Sequence, residues 1–438
     1  MITTFFGPHS FGGDAAYVDR LCQALCRRGH EVHVFYCVDA FNSVRGDHPL
    51  REYTPTAGLH LHPLESGYGI LSPLATQATG RPLFKSAALR QLLDDPDTDV
   101  VHFHNISLVG GPGVLGLGAN RRAVRIMTAH EHWLICPMHL LWKYDRKPCD
   151  GPSCISCCLA GRRPPQAWRL TGAIGEGLRQ LDALLFPSRH ALDEHRHRGL
   201  SAFVPLVHLP YFLPDGWAGG VEDEPPERRE RPYLAAAGRL VKMKGFQRLI
   251  PMMRYLPEAD LRIAGTGPYE PELRAMAGDL PNVRFEGLLG GAGLARLFRG
   301  ARGVVVPSLF PETFGYVVLE AFAVKTPVIV HEGGGAIEET GVQSGGGLGY
   351  RTDVELLTAM RRIIHEPELR DAMAARGYAR RIGEWSEGRH LQRYLELLDR
   401  ARSAHRDRSP YRPALARAGR RGRSVAARIS PDGTTSPR

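Results

Sequence analysis

Tyr233-Leu234-Ala235-Ala236-Ala237-Gly238-Arg239-Leu240-Val241-Lys242-Met243-Lys244-Gly245 decides how the rest of the chain is read. The apolar run Tyr233–Ala237 has the length of a strand buried on both faces. It ends in a glycine that permits a sharp turn, and Arg239 and Lys244 leave the strand tip with full positive charge. A helical pattern over 246–255 follows, so free backbone N–H groups and the helix dipole are expected to join those cations in an anion site. Taken alone, the motif fits a solvated basic turn equally well.

Outward from this stretch, short β-rich runs alternate with helical patterns, the signature of βαβ units and parallel sheets. Strands are predicted over 2–6, 31–37, 100–104, 124–128 and 183–186, with helices over 15–28 and 83–93. A second series falls at 233–237, 261–264, 283–285, 303–306 and 328–330, with helices over 246–255 and 316–324. Two helical segments close the pattern, near 353–382 and 385–402. Five prolines from Pro210 to Pro232, mixed with charge and glycine, read as a linker over 211–232. At 438 residues the chain is long enough for two cores. The predicted fold class is therefore α/β: two Rossmann-like, doubly wound domains, 1–210 and 233–382, facing across a cleft. A helix over 383–402 is expected to return to the first domain. Ligands of such sheets bind beyond the carboxyl ends of the strands, so functional motifs belong just after strands.

Pro307-Ser308-Leu309-Phe310-Pro311-Glu312-Thr313-Phe314-Gly315 is such a segment, and it runs into a helix that carries Glu320. Two glutamates eight apart invite comparison with the acid and base of a glycosidase. Their setting speaks against it. Glu312 lies in a loop bounded by proline and glycine, whereas Glu320 lies on the helix, so the two point at different parts of one ligand. A helical carboxylate can accept two hydrogen bonds from a ribose diol. Glu312, with the N–H groups of Phe314 and Gly315, can meet a sugar. The bland alternative is a helix cap plus an exposed helical glutamate.

With these motifs the chain resembles the retaining, nucleotide-sugar-dependent glycosyltransferases of family four, called group 1, which have the GT-B fold. The resemblance covers about residues 1–400 and is most specific from Gly238 through Gly335. It implies that Arg239 and Lys244 bind the donor diphosphate, that Glu312 contacts the sugar at the reacting end, and that Glu320 holds the ribose. Gly265-Thr266-Gly267 falls where the family's backbone approaches the nucleobase. A nucleotide-sugar donor follows, UDP-sugar first and GDP-mannose next, with a hydroxyl acceptor. Retention by front-face attack, the leaving diphosphate taking the acceptor's proton, requires no catalytic cofactor.

In the first half, Gly12-Gly13-Asp14 sits between the first strand and the first helix, where backbone can approach a phosphate or sugar closely. In the resembled family this loop lines the cleft, which makes Gly13 the expected donor contact; Asp14 is equally a helix cap. His130 ends the strand over 124–129, and Thr128-Ala129-His130 matches the family's Thr-x-His pattern, with Glu131 in place of the usual Asp. His130 joins Glu312 as a candidate catalytic residue. One strand earlier, alternation favours His104 and Asn105 as acceptor-side lining and leaves His102 structural. Asp95-Pro96-Asp97 and Asp97-Thr98-Asp99 fit the Asp-x-Asp pattern of metal-dependent transferases but precede a strand, at the wrong end of the sheet, so no catalytic Mg²⁺ is expected.

Eight cysteines divide into two groups. Cys22, Cys26 and Cys37 stand in apolar surroundings and read as small core residues. The other five crowd into residues 136–158. Cys154-x-x-Cys157 has the knuckle spacing of structural zinc, and Cys136 and Cys149 complete a set of four thiolates, with Cys158 adjacent. Structural zinc is favoured over free thiols, and an iron–sulfur cluster ranks below both. With no basic and apolar leader before the first strand, the cytoplasm is the expected location, where thiols stay reduced.

The net charge of +10 is concentrated at one end: residues 401–438 hold ten arginines against Asp407 and Asp432. The stretch 403–438, rich in Arg, Pro, Gly and Ser, is predicted to be a disordered tail, able to touch an anionic membrane weakly. It lacks the interleaved aromatics that nucleic-acid binding uses. Two readings of the whole chain remain beside the transferase: a non-catalytic nucleotide-sugar sensor, and a sugar-nucleotide epimerase of the same fold.

Overall fold

In the computed structural model, which describes residues 1–46, 50–118, 120, 122–151, 153–221 and 231–408, the apolar runs pair as two parallel sheets. The first half contributes β1 (Ile2–Thr3), β2 (Val32–Cys37), β3 (Leu59–Leu64), β4 (Val100–Phe103) and β5 (Val124–Thr128). A short antiparallel hairpin, β6 (Trp142–Lys143) and β7 (Lys147–Pro148), intervenes before β8 (Ala183–Phe186) and β9 (Leu206–His208). Seven strands form the sheet in the order β3-β2-β1-β4-β5-β8-β9. The second half supplies β10 (Tyr233–Ala237), β11 (Asp260–Ala264), β12 (Val283–Gly287), β13 (Gly303–Val306), β14 (Val328–His331) and β15 (Gly347–Tyr350). Their order is β12-β11-β10-β13-β14-β15. Each sheet reverses its winding beside its first strand, between β1 and β4 and between β10 and β13. A crevice opens there at the carboxyl ends.

The strand sequences explain the arrangement. Val-Arg-Ile-Met-Thr in β5, Ala-Leu-Leu-Phe in β8 and Gly-Val-Val-Val in β13 are buried at every position. Continuous burial suits parallel strands covered by helices on both faces and not alternating, half-exposed ones.

Several elements depart from the expected bounds, each for a local reason. β1 stops at Thr3 because Phe6 and His9 bond each other across Gly7-Pro8, the two N–H···O contacts measuring 3.1 and 3.0 Å. The segment 246–255 makes one α-turn, Phe246–Leu249, and then tightens to a 3₁₀ helix over Ile250–Tyr255, where Pro251 removes a donor. Pro367 breaks the segment expected at 353–382 into helices Asp353–His365 and Pro367–Glu384, since the residue before a proline avoids the helical region; Glu366 takes φ −105° and ψ 83°. The last helix, Glu387–Arg408, runs six residues past the expected end, and the remainder of the basic tail lies outside the described residues.

The chain between the sheets is not a loose tether at its start. Tyr211, Phe212 and Leu213 are buried, and Leu213 pairs with Ser386 in an isolated bridge, its N–H donating to Trp385 O at 3.0 Å. Residues 222–230 of the expected linker fall outside the described part. Helix Glu387–Arg408 packs against helix Gly12–Cys26 of the first domain. Tyr17 and His390 meet at 3.2 Å, Tyr394 reaches His102 at 3.0 Å, and Arg402 pairs with Asp99 at 3.0 Å. One apolar cluster therefore runs from the first sheet through Leu209–Leu213 to the second sheet and this helix. Among the described residues no helix is long and apolar enough to cross a membrane.

Leu391 is fully buried in that shared cluster, so Leu391→Ala should destabilise the folded chain by about 2–5 kcal/mol. Urea unfolding checks it; a loss near zero would mean that the helix does not dock as described.

Candidate active site

Glycine geometry builds the donor-side loop. Gly245 has φ +78°, and a Cβ there would lie 1.9 Å from Pro307 O, so only glycine lets the loop after β10 pack on the loop after β13. Leu309 N–H donates to Met243 O at 2.8 Å and locks the same contact. Lys244, carried by this turn, places its Nζ 2.8 Å from Glu312 Oε1 and 5.2 Å from the centre of the Phe310 ring. Ser308 Oγ donates to the same carboxylate oxygen. Arg239 is exposed and, among the described residues, forms no ion pair. The helix behind the loop has a single α-turn, so charge at this tip comes mostly from the cations and little from a helix dipole.

Gly265 and Gly267 have a different task from the expected approach to a nucleobase. A Cβ at Gly265 would lie 2.0 Å from Gly238 O, and one at Gly267 would lie 2.4 Å from Leu240 O. Both are needed for packing the loop after β11 against the loop after β10.

The loop after β13 leads into helix Tyr316–Ala323. Among the described residues the backbone N–H groups of Phe314 and Gly315 have no hydrogen-bond partner. Phe314 is buried 4.8 Å from the Tyr211 ring, and the Gly315 turn has φ +86°. One turn into the helix, burial pushes the Glu320 carboxyl up, opposed by the guanidinium of Arg20. Arg20 Nη2 stands 3.9 Å from Glu320 Oε1, and the guanidinium lies 4.5 Å from the centre of the Tyr316 ring. Arg20 Nη1 and the Tyr316 hydroxyl are buried without a well-formed hydrogen bond.

Helix Gly12–Cys26 brings the first domain to this spot. A Cβ built on Gly13 would lie 3.5 Å from Tyr316 Cδ2, so Gly13 faces the donor-side helix across the cleft. Asp14, in the first turn rather than at the cap, accepts from Asn105 Nδ2 at 3.3 Å. Burial, with the charge of Glu131 adding to it, raises the Asp14 carboxyl to about 6. Asn105 also accepts from Ser107 Oγ at 2.8 Å.

His104 and His130 are buried, and with Asn105 and Glu131 they line a small cavity of about 10 Å³. His104 is 1% exposed, with Nδ1 2.9 Å from His130 Nε2 and Nε2 3.4 Å from Met1 Sδ. His130 Nδ1 bonds the Tyr211 hydroxyl, so both ring nitrogens are engaged; burial lowers its pKa to about 3 and keeps it neutral. Its carbonyl accepts from Thr313 Oγ1 at 2.7 Å, which ties the end of β5 to the donor-side loop. His102 bonds Thr128 and Tyr394. Strand alternation does not separate His104 from His102, because residues two apart lie on one face of a strand and the two rings stand 3.9 Å apart.

Three further contacts cross between the domains. His132 Nε2 meets Pro311 O at 3.2 Å, and Glu339 accepts the N–H groups of Arg189 and His190 at 3.1 and 3.0 Å. Arg20, Tyr211 and Glu339 escaped the sequence reading, since their proximity arises only when the two domains meet.

Two doubly wound sheets presenting their switch points to one another define a GT-B protein. Residues 222–380 match the family described as Glycosyl transferases group 1, and residues 11–208 match Glycosyltransferase Family 4. The chain is 30% identical over 264 residues to a GDP-mannose-dependent alpha-(1-6)-phosphatidylinositol monomannoside mannosyltransferase of Mycolicibacterium smegmatis, covering 54% of this chain and 68% of the relative. Among solved structures it is similar to a sucrose-phosphate synthase from Thermosynechococcus elongatus, with a TM-score of 0.67 at 18% identity over 92% of this chain and all of the other. It is also similar to Anabaena HepE in complex with UDP, with a TM-score of 0.61 at 16% identity over 91% and 99%. The chain belongs to the group 1 glycosyltransferases of the GT-B fold.

Asp14 offers a pH test of the site's electrostatics. Its folded pKa lies above the ordinary 3.8, so the native state binds its proton more tightly than the unfolded chain does. The contribution is complete below 3.8 and is lost as pH rises through about 6. Asp14→Asn should therefore gain stability relative to wild type across that window and hold the gain at neutral pH. Urea titrations at several pH values check it, and a constant difference would refute the assignment.

Proposed function

We propose that this glycosyltransferase moves a hexose from a nucleoside diphosphate sugar to an acceptor hydroxyl with retention of configuration. The observation that carries the reading is the Lys244–Glu312 pair beside the free N–H groups of Phe314 and Gly315, with Gly13 opposite. The donor diphosphate lies against Lys244, Arg239 and those N–H groups. As the bond from the anomeric carbon to the diphosphate oxygen breaks, negative charge grows on the leaving group, and fixed cations and N–H dipoles stabilise it. The acceptor oxygen attacks from the same face, the new glycosidic bond forms, and the acceptor's proton passes to the departing phosphate oxygen. Released from Lys244, Glu312 accepts hydroxyls of the transferred sugar, and Glu320 receives the ribose diol.

His130 holds the site from behind. Neutral and buried, it fixes Tyr211 through its ring and the donor loop through its carbonyl. The donor is a UDP-sugar or GDP-mannose: HepE, which shares the fold, is solved in complex with UDP, and the mycobacterial relative is GDP-mannose-dependent. That relative also supports a lipid-linked or glycan hydroxyl as acceptor. The absence of disulfides among the eight cysteines fits a reducing cytoplasm.

Arg239→Ala and Lys244→Ala should each lower kcat/KM by on the order of 10²–10³-fold while the folded structure is retained. Sugar transfer from a panel of donors measures the first, and circular dichroism with urea unfolding measures the second. Wild-type transfer in either variant would remove the clamp. NMR of the product's anomeric proton tests retention, and an inverted linkage would overturn that part.

A further inference from the structure

Among the described residues, five of the six non-glycine positions with left-handed backbone lie in one segment: His139, Leu141, Tyr144, Asp145 and Arg162, with φ between 50° and 73°. Such conformations persist only where the surroundings enforce them. Ordinary packing around this segment is thin. The β6–β7 hairpin has two residues per strand, and the helix Cys154–Ala160 exposes Ile155 and Leu159, each at 62%. Leu141, Trp142 and Cys158 supply the buried apolar contacts of the segment.

Cys136, Cys149, Cys154 and Cys157 line one small cavity of about 20 Å³, walled also by Trp142 and Lys143. That is room for a single small ion. None of these cysteines is in a disulfide. Burial dominates at the Cys136 thiol and pushes its pKa up, with the neighbouring backbone N–H groups of Leu141, Met138 and Leu140 opposing it. A cation waits beside it. Arg169 faces Cys136, Cys154 and Cys158, lies 5.2 and 5.0 Å from the Trp133 and Trp168 rings, and donates to Trp133 O, Leu134 O and Gln166 Oε1. Among the described residues it pairs with no carboxylate, whereas Lys143 is already paired with Asp150 at 2.7 Å.

We infer that Cys136, Cys149, Cys154 and Cys157 form a tetrahedral thiolate site for one zinc ion, which staples the loop 136–158 to the cleft. Among the described residues no three ligand-type side chains already stand in metal-binding geometry, so the four sulfurs close onto the ion from the cavity walls by side-chain rotation. Binding releases four protons, and the resulting ZnS₄ unit carries net charge −2, which Arg169 offsets. The staple reaches the active site through backbone: Cys136 N–H donates to His132 O at 2.8 Å, His132 N–H donates to His139 O at 2.9 Å, and His132 itself meets Pro311 O. The inference is independent of the reaction assigned above, because its readout is the metal.

The test is metal content of the full chain, purified and desalted, by plasma mass spectrometry. Wild type should hold about one zinc per chain, and Cys136→Ser and Cys157→Ser should lose it, while Cys22→Ser and Cys158→Ser keep it. Zinc in wild type below about a tenth of an ion per chain overturns the inference, as does iron with sulfide absorption or zinc that survives Cys157→Ser. Should the serine variants fail to fold, exchange of wild type into Co²⁺ decides instead. Strong thiolate-to-cobalt charge transfer supports the site, and its absence overturns it.

Discussion

A cation held 2.8 Å from a carboxylate by a turn that only glycine can make is the constraint on which the donor site depends. Gly245 removes the one atom that would separate the loops after β10 and β13, so Lys244 and Glu312 are placed by backbone packing and not by side-chain reach. Side chains fixed in this way lose little freedom on binding, which is where preorganisation has its effect. The same pair also sets a cost. Both groups are largely covered, at 23% and 11% side-chain exposure, and separating them without replacement would leave a buried charge unpaired. On the function proposed above, a diphosphate would supply the replacement for Lys244, and sugar hydroxyls would supply it for Glu312. The site therefore favours a ligand that brings both chemistries at once over free phosphate or free sugar.

The same logic sets limits on the histidines. A ring lowered to about 3 by burial is neutral near pH 7 and has no proton to give as an acid. With Nδ1 on Tyr211 and Nε2 on His104, His130 is better placed to define the position of its neighbours than to exchange protons with a ligand. Its carbonyl bond to Thr313 then matters as much as its ring, because that bond sets the distance between the two sheets' carboxyl ends. A reaction in which the leaving group accepts the proton makes no demand that this arrangement fails to meet.

Legibility in the sequence followed the range of the interactions. The strands β5, β8, β10 and β13 were evident because each is a short apolar run with turn residues at its ends, and burial on both faces leaves no other use for such a run. β3, with its alternating histidines, and β15, with two glycines in four residues, were missed because neither has that composition. Gly238, Arg239 and Lys244 drew the eye because glycine, charge and a strand tip are adjacent in the chain. Gly265 and Gly267 stood out in the sequence as a place of close approach to a nucleobase, and the atoms that exclude a side chain there belong to the neighbouring loop. Arg20 carried no signal at all. It is an ordinary helical arginine until Tyr316 and Glu320 arrive from three hundred residues away.

That late meeting locates the ligand more firmly than any motif does. At 3.9 Å, Arg20 and Glu320 are too far apart for a good hydrogen bond, while Arg20 Nη1 and the Tyr316 hydroxyl are buried without a well-formed one. Folded proteins seldom leave several such groups together, since each forfeits its hydration without compensation. Arg20, Tyr316 and Glu320 are drawn from both domains and interact with one another, and on the function proposed above their remaining capacity would be met by a ligand. A ribose diol can donate to the carboxylate and accept from the guanidinium and the phenol. Binding there would relieve a penalty that the empty cleft bears, so part of the affinity for the nucleoside would come from correcting the protein's own deficit rather than from new contacts alone.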